Sequence, residues 1–352
     1  MKTSHQIIGA GLSGATCARL LAEKGKKVLV CEKLDRVGGN LYDQRINNIN
    51  VHMHGPHCFH TSSLTVWNFV NRFSTFFPYS YHVFAHLHNE IYPLPFTLAL
   101  FSQLWGCNTP QEAERKLKEV RTNIEKPSNF KEAALNRVGE EIYFKFLHGY
   151  TYKQWGRDPE TLDAKIAERL PVRMTWNTEY HTDVYIGIPY SYTDFILNLL
   201  DHPNIELQLE ATPLANIPTI ATCSIDEFYN YCFGPLEYRS LIFKHEEKPR
   251  SVQGCPQLNY VEYDIPYTRT VEHKYFTGDY PTHTIITTEY PCEWKEGMTP
   301  YYPVGDEKNR RLYKQYKKIN NYVVWAGRLG TYKYMNMDEV IEQAIKVVEN
   351  LK

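Results

Sequence analysis

The chain has 352 residues, 43% of them hydrophobic, which is long for one small core and points to two or three lobes folded around a shared site. A formal charge of −1 gives no overall field toward nucleic acid or an anionic membrane, so an anionic ligand would have to be held by a few converging side chains. No apolar run is long enough for a membrane helix, and the eight cysteines form no C-x-x-C pair, so the expectation is a cytoplasmic protein with reduced thiols and no membrane insertion. The 27 tyrosines against 16 phenylalanines suggest surfaces that are apolar on one side and hydrogen-bonding on the other, as ligand clefts are.

In chain order, "HQIIGAGLSGATCARLLAEKGKKVLVCEK" reads as strand, glycine turn, helix and strand. Gly9, Gly11 and Gly14 spell G-x-G-x-x-G directly before the helix. Such a turn permits close backbone approach to a pyrophosphate at the positive helix start. Glu32 stands 18 residues after Gly14, at the end of the second strand, where a carboxylate can accept from adenosine ribose hydroxyls. With every part of the unit in place, the motif predicts a dinucleotide site. A second glycine pair follows in "RVGGN" (Gly38, Gly39, Asn40), an arrangement that resembles FAD oxidoreductases of the glutathione-reductase type more than NAD dehydrogenases. FAD is therefore the expected cofactor.

Next comes "HMHGPHCFHT", with His52, His54, His57 and His60 in ten residues. His-x-His can place two imidazoles on one strand face, but no matching Cys, Asp or Glu cluster accompanies it, and no metal is expected. Residues 64–148 read as mainly helical, with "EIYPLPF" a Pro-rich extended segment and Thr109-Pro110 and Glu112 making a clear helix start. Residues 180–300 alternate toward strand in "DVYIGIP", "IELQLEA", "LEYRSLIF" and "HTIITTEY". The closing unit is a strand, a glycine turn and a helix with Val340, Ile341, Ala344, Ile345, Val348 and Leu351 at helical spacing. The predicted fold class is α/β: a Rossmann-like FAD-binding domain with an inserted helical domain and an antiparallel-sheet substrate domain. The expected boundaries are 1–63, 205–240 and 318–352 for the FAD domain, 64–148 for the helical domain, and 149–204 with 241–317 for the substrate domain.

Tyrosine and arginine recur together in separate apolar-flanked segments. "YTYKQWG" offers Tyr150, Lys153, Gln154 and Trp155, suited to a planar base. Arg169, Arg173, Tyr180, Tyr185, Arg239, Arg269, Tyr301, Tyr302, Arg328, Tyr332 and Tyr334 follow. Each pair alone reads as a satisfied surface contact; their recurrence favours a shared anionic ligand, since arginine presents a fixed fork to phosphate and tyrosine adds uncharged donors.

"GAGLSGA", "RVGGN", "GPHCFHT", "YTYKQWG", "RLPVR", "FGPLEYRSL", "DIPYTRTVEHK", "PYYPV" and "WAGRLGTYKYMNMD" together resemble the UDP-galactopyranose mutase family, in its order and spacing, over essentially the whole chain. The resemblance implies interconversion of UDP-galactopyranose and UDP-galactofuranose through a covalent adduct of the sugar with reduced FAD, without net redox change, in a homodimer or other homo-oligomer. It implies Phe146, Tyr150 and Trp155 at the uridine and Arg169 on a mobile loop over the diphosphate. It further implies Tyr180, Tyr302, Tyr334 and Arg269 at the phosphates, Asn259 at the ligand, and Arg239 and Arg328 near flavin and substrate. His60 would stand beside the isoalloxazine, with His57 and Met337 also at the cofactor; His60, Arg169, Arg269 and Arg328 would be the catalytic set. Three positions depart from the family: the shortened "GIPYSYT", Cys223 in place of a glycine, and Asn336 in place of an aspartate. The alternatives are the same chemistry on UDP-N-acetylgalactosamine, UDP-arabinopyranose or another UDP-hexose, a flavin oxidase, or a catalytically silent sugar-nucleotide or FAD-binding protein.

Overall fold

The computed structural model describes residues 3–169, 171–278, 281–319 and 322–351. The chain divides into two compact units, residues 1–79, 183–238 and 300–352 in one, and residues 80–182 and 239–299 in the other.

The first unit is built on a five-stranded parallel sheet. Its strands run in the order Ile205–Gln208, Val28–Cys31, His5–Ile8, Thr219–Ala221 and Val323–Trp325. Val28–Cys31 is buried at every position, as expected of a central strand covered on both faces. The helix Leu12–Glu23 packs against the helices Tyr192–Leu200 and Met337–Asn350. In the last of these Val340, Ile341, Ala344 and Val348 are buried at the predicted spacing, whereas Ile345 is only half-buried and Leu351 lies at the helix's C-cap. A small antiparallel sheet joins Phe59–Thr61, Tyr185–Pro189 and Phe76–Pro78 in the same unit. There the buried Asp43 accepts from the backbone N–H of Tyr192 (2.7 Å) and Thr193 (3.1 Å), from Ser191 Oγ (2.9 Å) and from Asn50 Nδ2 (2.9 Å). This carboxylate satisfies the start of the helix Tyr192–Leu200, so the "GIPYSYT" segment turns from strand to helix without the family's glycine.

The second unit carries an antiparallel sheet with one parallel pairing. Tyr238–Lys248, Thr284–Glu293, Arg269–Glu272, Gln257–Tyr260, Val83–Leu87 and Glu90–Leu94 lie in that order. The helices Leu98–Trp105, Pro110–Val120 and Phe130–Ile142 bury Leu100, Phe101, Leu117, Phe130 and Val138 in one cluster with Ala85, Tyr92 and Val261 of the sheet side. Thr109 caps its helix as predicted, accepting from Glu112 N–H while the Glu112 carboxylate accepts from Thr109 N–H. The segment Phe130–Ile142 continues into a π-helical turn, Tyr143–His148, and then into the helix Gly149–Trp155.

These compact units do not follow the three-part division expected from the sequence. The helices of 98–148 share one core with the sheet, because neither layer could bury its apolar face alone. Residues 64–79 and 183–204 fall with the parallel sheet instead. Within the mainly helical 64–148 the structure also places strands at Phe76–Pro78, Val83–Leu87 and Glu90–Leu94, of which only the last falls in the segment read as extended. The last two form a hairpin turning at His88, whose φ of 48° is a left-handed turn conformation. Among the described residues no helix is long and apolar enough to cross a membrane.

Ile341 is fully buried on the closing helix. Ile341→Ala should lower the unfolding free energy by about 3 kcal/mol in urea titration, from lost burial plus the cavity left behind.

Candidate active site

The glycine turn is where local sequence becomes a binding geometry. Gly14 lies so close to the end of the first strand that a Cβ there would stand 1.9 Å from the carbonyl oxygen of Gly9. Gly9 has φ of 101°, a conformation favouring glycine. The helix Leu12–Glu23 starts at Gly11 with no side chain capping its free N–H groups. Inside its first turns, Ser13 Oγ and Thr16 Oγ1 are buried without a hydrogen-bond partner. Uncapped donors at a positive helix end suit an anionic pyrophosphate.

The second glycine pair meets the first. Gly38 bridges to Gly11, and Gly38 N–H donates to Ala10 O at 3.0 Å. Gly327, from "WAGRLG", closes over the same turn: a Cβ on it would lie 3.0 Å from Ser13 Cβ. Asn40 sits in the short helical turn Gly39–Leu41. Glu32 is buried, and its Oε2 accepts from Ala10 N–H at 2.7 Å while Oε1 accepts from Leu34 N–H at 3.0 Å. Its carboxylate therefore braces the glycine turn. Each oxygen retains lone-pair capacity beyond its one backbone bond.

Two of the four histidines, His52 and His57, contact each other, while His54 and His60 pair elsewhere. Buried His52 accepts from His57 N–H through Nδ1 at 3.1 Å, His54 Nδ1 pairs with Tyr301 OH at 2.6 Å, and His60 Nδ1 with Asp183 Oδ2 at 2.8 Å. The His57 carbonyl accepts from Tyr192 OH at 3.3 Å. Burial pushes the His52 imidazole down to about 4, against the pull of Asp43. Burial, helped by the charges of His52, Arg328 and His54, holds His57 well below its ordinary value, so it stays neutral.

Arg328 lies over the Tyr334 ring at 4.5 Å and donates to the carbonyls of Tyr301 (3.3 Å) and Met335 (2.8 Å). Tyr334 in turn stacks on Tyr302, with centroids 5.8 Å apart. Met337 opens the final helix, and Asn336 precedes it, its N–H donating to Glu339 Oε2 at 2.6 Å. That position thus closes a helix cap without a charge of its own. Cys223 is inert by its surroundings: burial pushes its thiol up to about 12.

In the other unit, Arg269 donates through Nη2 to Tyr150 OH at 2.8 Å, and its Nε lies 3.2 Å from Glu289 Oε1. Strand register creates the second contact by placing Arg269 opposite Glu289. Burial raises the Glu289 pKa while the guanidinium opposes that rise. Burial likewise pushes the Tyr150 phenol up to about 12, so it remains a neutral donor. Asn259 pairs with Arg269 across the neighbouring strand and accepts from Gln257 Nε2 at 2.7 Å. Tyr180 rests edge-on against Tyr81, centroids 6.2 Å apart.

Arg239 is buried and donates to the carbonyls of Gln154 (3.0 Å) and Lys153 (3.3 Å), at the C-terminus of the helix Gly149–Trp155. A cation there is favoured by the helix dipole. Gly156 makes room for it: a Cβ would lie 2.5 Å from Nη1. Lys153 Nζ donates to Tyr260 O (2.8 Å) and Tyr267 O (2.9 Å), with its pKa pushed down to about 8 by burial. Phe146 is buried against Tyr92 and Phe96, and Trp155 is half-buried beside the same core. Arg169 ends the helical turn Ala164–Arg169, and its side chain lies outside the described residues. Sequence reasoning missed Glu289 and Asp183, whose signal is the acid itself in or beside an apolar strand. The glycine turn of the closing unit was legible, but not that its Gly327 would press against Ser13 of the first turn.

A family model described as "UDP-galactopyranose mutase" matches residues 145–334. The chain belongs to the UDP-galactopyranose mutase family. A second model, for an NAD(P)-binding Rossmann-like domain, matches residues 7–73, which include the glycine turn and Glu32. The mutase-family chain is 39% identical to a dTDP-fucopyranose mutase of Escherichia coli over 97% of each chain. It is 31% identical to a UDP-galactopyranose mutase of Mycoplasma pneumoniae, covering 98% of this chain and 95% of that one. A crystal structure of reduced UDP-galactopyranose mutase shares the fold, with a TM-score of 0.76 at 16% identity over 99% and 95% of the two chains. The family is one of isomerases, and the Rossmann-like unit is its flavin-binding part. The paired glycine turns, uncapped helix start and buried Glu32 fit that cofactor.

Gly14→Ala in this mutase should abolish FAD retention, because the added methyl meets backbone that cannot yield; the flavin absorbance of purified protein measures this. His52 supplies a pH test. Its folded-state pKa is depressed, so its contribution is full above about pH 6.5 and is lost as pH falls toward 4. The loss should reach on the order of 3 kcal/mol. Urea titrations between pH 7 and pH 4 should show a correspondingly shallower slope in His52→Asn, which keeps an acceptor for His57 N–H.

Proposed function

We propose that the chain interconverts UDP-galactopyranose and UDP-galactofuranose with FAD in its reduced form. The observation that carries this reading is the arginine–tyrosine pair Arg269–Tyr150, made at 2.8 Å at the start of an inner strand and braced by a buried glutamate. A fixed guanidinium beside a neutral phenol is suited to a diphosphate that gains charge as it leaves the anomeric carbon. When bound and reduced, the flavin supplies the nucleophile for that carbon, with no net redox change.

The chain's own side chains do the remaining work. Arg269, Tyr150 and Tyr180 offer donors to the diphosphate, with Asn259 beside them on the next strand. In the Rossmann-like unit, Tyr302 and Tyr334 present phenol donors and Arg328 lies over the Tyr334 ring. Phe146 and Trp155 belong to the apolar surface assigned to the uridine. By the resemblance, Arg169 adds a second guanidinium and its loop excludes water. Arg239 serves indirectly, by fixing the end of the helix that carries Tyr150 and Trp155. Gly9, Gly11, Gly14, Glu32, Gly38, Gly39, Asn40, His57, His60 and Met337 are assigned to the flavin. All eight cysteines are free thiols, in keeping with the cytoplasmic location proposed here. A homo-oligomer, as the resemblance implies, is part of the same reading.

A second reading, the same ring contraction on a dTDP-linked 6-deoxyhexose, is favoured by one observation: a relative 39% identical over nearly the whole chain is a dTDP-fucopyranose mutase. Dithionite-reduced enzyme given UDP-galactofuranose and dTDP-fucofuranose in parallel decides between them by chromatography of the pyranose products. The UDP-galactose reading expects the larger kcat/KM on the first substrate; the reverse ranking overturns it, and hydrogen peroxide formation without either pyranose would indicate an oxidase. Arg269→Ala should retain yellow, FAD-bound protein and lose at least about a hundredfold in kcat, the cost of one transition-state charge partner.

A further inference from the structure

His60 lies in the strand Phe59–Thr61, in register with Ile186 of the strand Tyr185–Pro189. Two residues before that second strand, Asp183 sends Oδ2 to His60 Nδ1 at 2.8 Å. The side chains are only 16% and 30% exposed, so the pair is shielded from much of the solvent that weakens surface ion pairs. Asp183 is itself held. Ser62 Oγ donates to its Oδ1 at 3.3 Å, and Val184 N–H donates to the same Ser62 Oγ at 3.4 Å. A second carboxylate, Asp338 at the start of the closing helix, interacts with His60 and is bonded by the Thr61 side chain. Strand pairing on one side and a helix start on the other thus set two acids around one imidazole.

An ionised carboxylate is purely an acceptor, so the imidazole nitrogen facing it must carry the proton. We propose that Asp183 is a positioning residue for His60: it holds the ring as the Nδ1–H tautomer and fixes its orientation in the flavin loop. When neutral, His60 then carries its lone pair on Nε2. A histidine without such a partner exchanges tautomers and rotates, and would present a donor and an acceptor by turns. The catalytic consequence rests on the flavin-mutase reading, whereas the tautomer itself does not.

The test is nitrogen NMR of FAD-bound protein labelled at histidine nitrogens, recorded at a pH where the imidazole is neutral, with the His60 signal assigned by its loss in His60→Gln. Wild type should show Nδ1–H. Asp183→Ala should shift the population toward Nε2–H and lower mutase kcat about tenfold, as expected for losing one charge-assisted hydrogen bond, with KM for the nucleotide sugar within about twofold. Asp183→Asn keeps the side-chain volume and an acceptor oxygen, so it should restore most of the Nδ1–H population and of kcat. An Nε2–H tautomer in wild type overturns the proposal, as does an alanine variant with unchanged tautomer and kcat. The wild-type and asparagine spectra decide the matter should the alanine variant not fold. Absence of mutase activity in wild type beside an Nδ1–H spectrum would count against the flavin-mutase reading and leave the role of Asp183 standing.

Discussion

The approach of Gly14 to the carbonyl of Gly9 is the constraint on which the nucleotide-binding unit rests. Only a residue without a Cβ lets the first helix begin so close to the first strand. That closeness leaves the helix N–H groups exposed at the turn, lets Gly38 bridge to Gly11, and puts Ala10 N–H within reach of Glu32. Gly327 extends the same logic from the far end of the chain, since a side chain there would press on Ser13. Segments separated by about three hundred residues of sequence converge because each gives up a side chain at one point.

Buried acids do two kinds of work, and the difference bears on chemistry. Most accept from backbone N–H groups: Glu32 braces the glycine turn, Asp43 starts a helix, and Glu272 gathers the N–H groups of Val252, Gln253 and Gly254. The buried acid Glu289 instead faces the arginine Arg269, which also reaches a tyrosine hydroxyl. A guanidinium held from behind by an acid and from the side by a phenol loses little conformational freedom when it meets a phosphate. Lys153 and Arg239 show the contrasting use of cations. Both are spent on backbone carbonyls, where they secure a helix and neighbouring strands.

The legible parts of the sequence were those whose signals are local. The G-x-G-x-x-G turn, the Thr109 cap and the spacing of Val340, Ile341, Ala344 and Val348 each rest on contacts within a few residues, and the structure has all three. Of the hairpin, the Pro-rich strand Glu90–Leu94 was legible as an extended segment, whereas Val83–Leu87 was not, because a short apolar run carries no period that separates strand from helix. The unit boundaries were hidden for a related reason. The helices around Leu117 and Phe130 share a core with Ala85 and Val261, and shared burial leaves no mark of who the partner is.

By itself the sequence determined the dinucleotide turn, the α/β class and, through its ordered motifs, membership of a mutase family. Those follow from glycine stereochemistry, hydrophobic periodicity and residue identity, which need no knowledge of distant neighbours. The tertiary structure alone decided that Glu289 stands behind Arg269, that Asp183 holds His60, and that His52 meets His57 while His54 turns to Tyr301. Such pairings depend on strand register and loop closure. A shift of one residue in either would send the same side chains to the opposite face and break every one of these contacts.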